Sequence, residues 1–154
     1  MLLAVLALLA ACGSDEPSAL ETEREPAAAP RDPPPKLSTG DGPPPAWLET
    51  GRGSFWLGHS TFCWGGTCAD YVAPSCDSER VPTIAVRPGE HVTAHLGFEP
   101  REVSLTLFPG ASSEGRLPGG RDPRWRVERE GPFSLFAVAK EGGDASYVAC
   151  LELD

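Results

Sequence analysis

Val81-Pro82-Thr83-Ile84-Ala85-Val86-Arg87-Pro88-Gly89-Glu90-His91-Val92-Thr93-Ala94-His95-Leu96-Gly97-Phe98 decides the fold class. Its first run, Val81–Val86, is rich in β-branched residues, and Arg87-Pro88-Gly89-Glu90 carries turn chemistry. In the second run, His91–Phe98, apolar Val92, Ala94 and Leu96 alternate with polar His91, Thr93 and His95. A period of two sends successive side chains to opposite faces, as in a strand with one face against a core.

Downstream the pattern repeats in Glu102–Phe108, Arg124–Arg129, Phe133–Ala139 and Ser146–Leu153. Between these runs stand Glu99-Pro100-Arg101, Pro109-Gly110, Gly131-Pro132 and Glu141-Gly142-Gly143-Asp144, each a turn by its Gly or Pro content. No stretch combines the period and length of a helix. Seven to eight short strands at this spacing predict an all-β domain over 47–154, a small antiparallel sandwich of immunoglobulin-like type. A small barrel is the alternative. Arg116-Leu117-Pro118-Gly119-Gly120 is expected in a longer loop.

The formal net charge is -9. Arg121, Arg124, Arg126 and Arg129 are the densest basic stretch, and alternation with Trp125 and Val127 marks them as the solvent face of a strand. An acidic chain with no larger basic cluster argues against a nucleic-acid partner.

The amino-terminal part reads differently. Leu2–Leu9 is an unbroken apolar run, too short to span a bilayer and suited to a secretory signal. It leads into Leu9-Ala10-Ala11-Cys12, which resembles the lipobox of bacterial lipoproteins, although no Lys or Arg precedes the run. The resemblance implies a signal peptide over 1–11, cleavage before Cys12, a diacylglycerol thioether on Cys12 and an acylated new amino terminus. Two or three acyl chains would anchor the chain stably to a membrane, on its extracytoplasmic side. Ser14 is not the Asp that inner-membrane retention would call for, so an outer membrane is open in a host that has one. From Gly13 to Ala46 there is no aromatic residue, and Pro is interleaved with Ala and acids. Such composition predicts a disordered, extended linker over 12–46.

With Cys12 given to the lipid, Cys63, Cys68, Cys76 and Cys150 remain, an even number in a chain expected to be exported. Gly65-Gly66 suits a two-residue hairpin turn, since both residues can take positive φ. Trp64 and Thr67 would then pair beside the turn. Cys63 and Cys68 would fall on the next, non-hydrogen-bonded pair, where Cα atoms approach to about 4.5 Å. Cys76 and Cys150 are left to each other.

The same residues admit sharper chemistry. His59, Cys63, Cys68 and Cys76 could ligate zinc, but the spacing lacks paired knuckles, and no metal or other cofactor is expected. His91 and His95 share a strand face, yet four residues along a strand separate them by about 13 Å, too far to hold one ion unaided. They are expected to be exposed. Ala85–Val92 resembles the turn and strand of cupredoxins, but no His or Met follows Cys150 to complete a copper site. Ser60 beside His59, with Asp70 nearby, supplies the letters of a triad without a nucleophile elbow. No catalytic residue is therefore assigned.

Gly53-Ser54-Phe55-Trp56 followed by Cys63-Trp64-Gly65-Gly66-Thr67-Cys68-Ala69-Asp70 resembles a motif of uncharacterised bacterial lipoproteins and extracytoplasmic domains. The likeness covers about the first quarter of the domain, with residues inserted between Ser54 and Cys63, and implies no activity. The expected function is a non-catalytic interaction or structural module of the cell envelope. The alternative is a cell-wall glycan binder using Trp47, Trp56, Trp64 or Tyr71 as stacking platforms. Trp56 and Tyr71 are expected in the core, and Trp64, beside the hairpin tip, is expected to be exposed.

Overall fold

The computed structural model describes residues 28–37, 42–109, 112–118 and 120–154. The expected signal segment 1–11, Cys12 and residues 13–27 and 38–41 of the expected linker lie outside the described residues. The domain is all-β, as the alternation implied. Its strands are β1 (Trp47–Thr50), β2 (Gly53–Trp56), β3 (Gly58–Trp64), β4 (Thr67–Ala69), β5 (Thr83–Val86) and β6 (His91–His95). They continue with β7 (Pro100–Leu107), β8 (Ser112–Arg116), β9 (Arg124–Arg126), β10 (Gly131–Ala139) and β11 (Asp144–Leu153).

Two sheets face each other. The smaller has the order β2-β1-β6-β9, and the larger runs β4-β3-β11-β10-β7-β8 with β5 added beside β11. All pairings are antiparallel except β5 with β11. One buried cluster joins Leu48, Val92, Ala94 and Trp125 of the small sheet to Phe62, Leu105, Phe133 and Tyr147 of the large one. The Trp125 and Phe133 rings meet edge to face at 5.6 Å. Each large apolar side chain buried there contributes about 1.5–3 kcal/mol. The immunoglobulin-like expectation holds at the level of two packed, mainly antiparallel sheets.

The strand count is higher than the seven to eight expected. β1, β2 and β4 are three or four residues long, too short to display a period. β8 begins at Ser112 and ends at Arg116, so the long loop is confined to the residues after it. Its sequence, Ser112-Ser113-Glu114-Gly115-Arg116, has no apolar residue to mark an inward face.

The arginines behave as expected: Arg124 and Arg126 are exposed while Trp125 and Val127 are buried. In β11 the alternation is broken by five consecutive buried residues, Tyr147–Leu151. Tyr147, Ala149 and Leu151 belong to the core between the sheets. Val148 and Cys150 form a second cluster with Val81. The segment between β4 and β5 covers this outer surface, stapled by the Cys76–Cys150 disulfide.

The end of the linker is part of the domain. Pro43 and Ala46 are buried, and Pro44 accepts a 2.6 Å hydrogen bond from the Tyr147 hydroxyl. Further back, Trp56 Nε1 donates to the Asp32 carbonyl at 2.6 Å and Ser54 Oγ to that of Ala28 at 2.8 Å. Within the span 12–46 expected to be disordered, Ala28, Asp32, Pro43, Pro44 and Ala46 thus contact the domain. Proline-rich chain can dock without strand pairing because its carbonyls remain free to accept.

The disulfides should differ in weight. Cys76 and Cys150 are 74 residues apart and Cys63 and Cys68 only 5. On the chain-entropy account, losing the long bridge should cost about 4–5 kcal/mol and losing the short one about 2. Denaturant unfolding of the paired Cys→Ala variants checks this order, and equal losses would contradict it.

Candidate functional site

The β3–β4 hairpin has the register deduced from its glycines, with Trp64 opposite Thr67 and Cys63 opposite Cys68. Gly65 and Gly66 take φ of 57° and 87°, which suits the mirror-image turns that twist with their strands. The Cys63–Cys68 disulfide closes the ladder, with Cα atoms 4.1 Å apart.

Two other connections reach the same end of the sandwich. Between β6 and β7, Gly97 lies so near Pro44 that an added Cβ would fall 2.5 Å from the proline ring. Phe98 follows, and its ring meets Trp64 at 4.9 Å with a 54° tilt. Between β10 and β11, Gly142 and Gly143 have φ of 102° and 91°. A Cβ on Gly143 would stand 3.0 Å from both the Trp64 ring and the Cys63 carbonyl. The indole is thus laid against bare backbone.

These three connections enclose an open cleft of about 960 Å³. Trp64 and Phe98 supply its aromatic surface, and Glu99, Lys140, Glu141 and Asp144 its charged lining. Lys140 Nζ pairs with Glu99 Oε1 at 3.0 Å, and the backbone N–H of Lys140 donates to the Glu99 carbonyl, also at 3.0 Å. Among the described residues neither Glu141 nor Asp144 has an ion-pair partner.

Trp64 is half-buried rather than freely exposed, because the β10–β11 turn and Phe98 flank it. Trp47 sits elsewhere, on the outer face of the small sheet. It stacks on His95 at 4.8 Å and 16°, and meets Trp56 edge-on at 6.0 Å. His95, expected to be exposed, is fixed between acids: Nδ1 lies 2.8 Å from Asp122 Oδ1 and Nε2 3.1 Å from Glu49 Oε2. His91 is exposed. Trp56, expected in the core, shares this outer cluster. Tyr71 packs at the core margin and carries the Arg80 guanidinium over its ring at 5.4 Å.

The triad letters separate. Ser60 is buried and His59 follows the opposite alternation, while Asp70 is hydrogen-bonded to Thr61 Oγ1 at 3.0 Å. Cys63, Cys68, Cys76 and Cys150 are all held in disulfides, in the expected pairing. His59 leans on Tyr147, ring centroids 5.2 Å apart, and neither of its nitrogens has a well-formed hydrogen bond among the described residues. Burial holds its pKa below the ordinary 6.5, outweighing the opposing pull of the Pro44 and Pro43 carbonyls. Burial likewise pushes the Tyr147 phenol up.

Sequence reasoning singled out Trp64 but not Phe98, Glu141 or Asp144 as its neighbours. The one available signal was that Glu99-Pro100-Arg101 and Glu141-Gly142-Gly143-Asp144 are both turns, and turns of a sandwich collect at its ends. Comparison with protein-family models, curated proteins and solved structures finds no match to this chain.

Two measurements probe this geometry. Gly143→Ala should cost roughly 1–3 kcal/mol and perturb Trp64 fluorescence, since it adds a contact to an unfavourable φ. Gly66→Ala, also at positive φ but with open space around it, should leave the indole undisturbed. Identical fluorescence changes would mean that Trp64 does not rest on the β10–β11 turn. The second concerns His59. Its lowered folded pKa means that the unfolded chain takes up the proton first as pH falls. Its stabilising contribution is full above 6.5 and is lost as pH drops through the folded value. Tm should fall between about pH 7.5 and pH 5, and less in His59→Leu. Equal falls would remove His59 from the pH response.

Proposed function

We propose that this chain is a lipid-anchored, extracytoplasmic interaction module of the cell envelope, non-catalytic, which engages a protein partner through the Trp64 cleft. Anchoring through Cys12 rests on the likeness of Leu9-Ala10-Ala11-Cys12 to a lipobox. Two disulfides agree with an oxidising compartment, where such bridges persist.

The observation that carries the reading is the cleft itself. Its walls are a disulfide-closed hairpin and a glycine turn pressed on Trp64, so little ordering is needed on binding. An aromatic pair recessed among polar groups is the usual composition of a binding hot spot. The alternative, a wall-glycan binder, needs rings presented as flat, accessible platforms. Trp64 and Phe98 are tilted 54° to each other, and Trp47 is covered by His95. That arrangement favours a protein partner.

The test is site-specific photocrosslinking of the full-length protein in intact envelopes, with the photoreactive residue at Thr67 beside the cleft or at Ser104 on β7. A discrete protein adduct from Thr67, lost on Trp64→Leu and missing at Ser104, is the expected result. An adduct that wall-degrading enzymes release would establish the glycan alternative instead. Equal adducts at both positions, or none at Thr67, would overturn the assignment of the cleft.

A further inference from the structure

The charges lining the cleft are unequal. Among the described residues, Glu99, Glu141 and Asp144 face one cation, Lys140, and that cation is already paired with Glu99. Glu141 is exposed and Asp144 half-buried, and both carboxylates share the cleft with two aromatic rings. The ring faces of Trp and Phe attract cations through their quadrupoles, and more strongly when the cation is partly desolvated. Trp64 and Phe98, at 4.9 Å and 54°, offer two faces meeting at an angle, a corner rather than a flat wall. A Cβ on Gly65, Gly66 or Gly142 would meet nothing within 4 Å, so three of the lining residues leave the approach open.

We infer that the Trp64 cleft is selective for an organic cation, a Lys or Arg side chain of a basic segment in the protein partner. The inference rests on the proposed function and names the chemistry recognised at the same site. An anionic group would meet two uncompensated carboxylates. A neutral apolar side chain would gain the rings but leave those charges unanswered. The other aromatic pair with acids beside it, Trp47 on His95, cannot serve in the same way, because Glu49 and Asp122 already engage the imidazole. Opposite charge also speeds encounter, which matters for a module tethered at a surface.

The test follows the Trp64 indole by NMR in the full-length protein, with Trp64→Phe to assign the signal. The probes are the peptide acetyl-Gly-Lys-Gly-amide and its norleucine counterpart, which keeps the chain length and removes the charge. The lysine peptide should move the indole signal saturably with millimolar affinity, and the norleucine peptide should not. Glu141→Gln with Asp144→Asn, which retains shape, should weaken lysine binding by roughly fivefold or more. Equal binding of both peptides, or unchanged affinity in the double variant, would overturn cation selectivity while leaving an apolar docking cleft. No movement with either peptide would overturn it as well, and Thr67 crosslinking would still decide the proposed function on its own.

Discussion

Strand β11 is bonded along both edges and covered on both faces, and most of the domain is arranged by that fact. One edge pairs with β10 from Asp144 to Leu151, while the other is shared in succession by β3 and the parallel β5. One face supplies Tyr147, Ala149 and Leu151 to the core. The other lies under the segment stapled through Cys150. Backbone polar groups buried this deeply must be satisfied by ladder bonds, so β11 tolerates little displacement. Its Tyr147 hydroxyl also fixes Pro44, which decides where the linker ends and the domain begins.

The cleft inherits its shape from this spine. Asp144 opens β11 and stands opposite Cys63, so the strand that organises the core also sets the β10–β11 turn against the β3–β4 hairpin. Trp64 is then trapped between that turn and Phe98. Positive-φ glycines and a short disulfide hold these turns, and such restraint would limit the conformational entropy lost on docking of the proposed partner.

Much of the fold could be read from the chain. Alternation in His91–Leu96 and Phe133–Ala139 located the core face, and Gly65-Gly66 fixed the register of the hairpin and hence the pairing of its cysteines. What escaped did so for physical reasons. β1 and β2 are too short for a period, and β8 has no apolar residue to orient it. The linker's docking depends on single bonds from Tyr147 and Trp56, which no local pattern encodes. The site was legible only in part, because Trp64, Phe98 and Asp144 are distant in sequence and meet only when the sheets close. His95 looked like an exposed polar residue, since its carboxylate partners lie on β1 and in the segment before β9.

Recognition at this end of the sandwich, as proposed, requires that the three connections form one preassembled cleft around Trp64 in the free protein. Nuclear Overhauser contacts measure this most directly. Contacts are expected from the Trp64 indole to both the Phe98 ring and the Gly143 Hα protons, with those Hα signals displaced by the indole ring current. An indole with no contact to Gly143 and Hα signals at ordinary glycine positions would contradict it, leaving separate turns and no formed site.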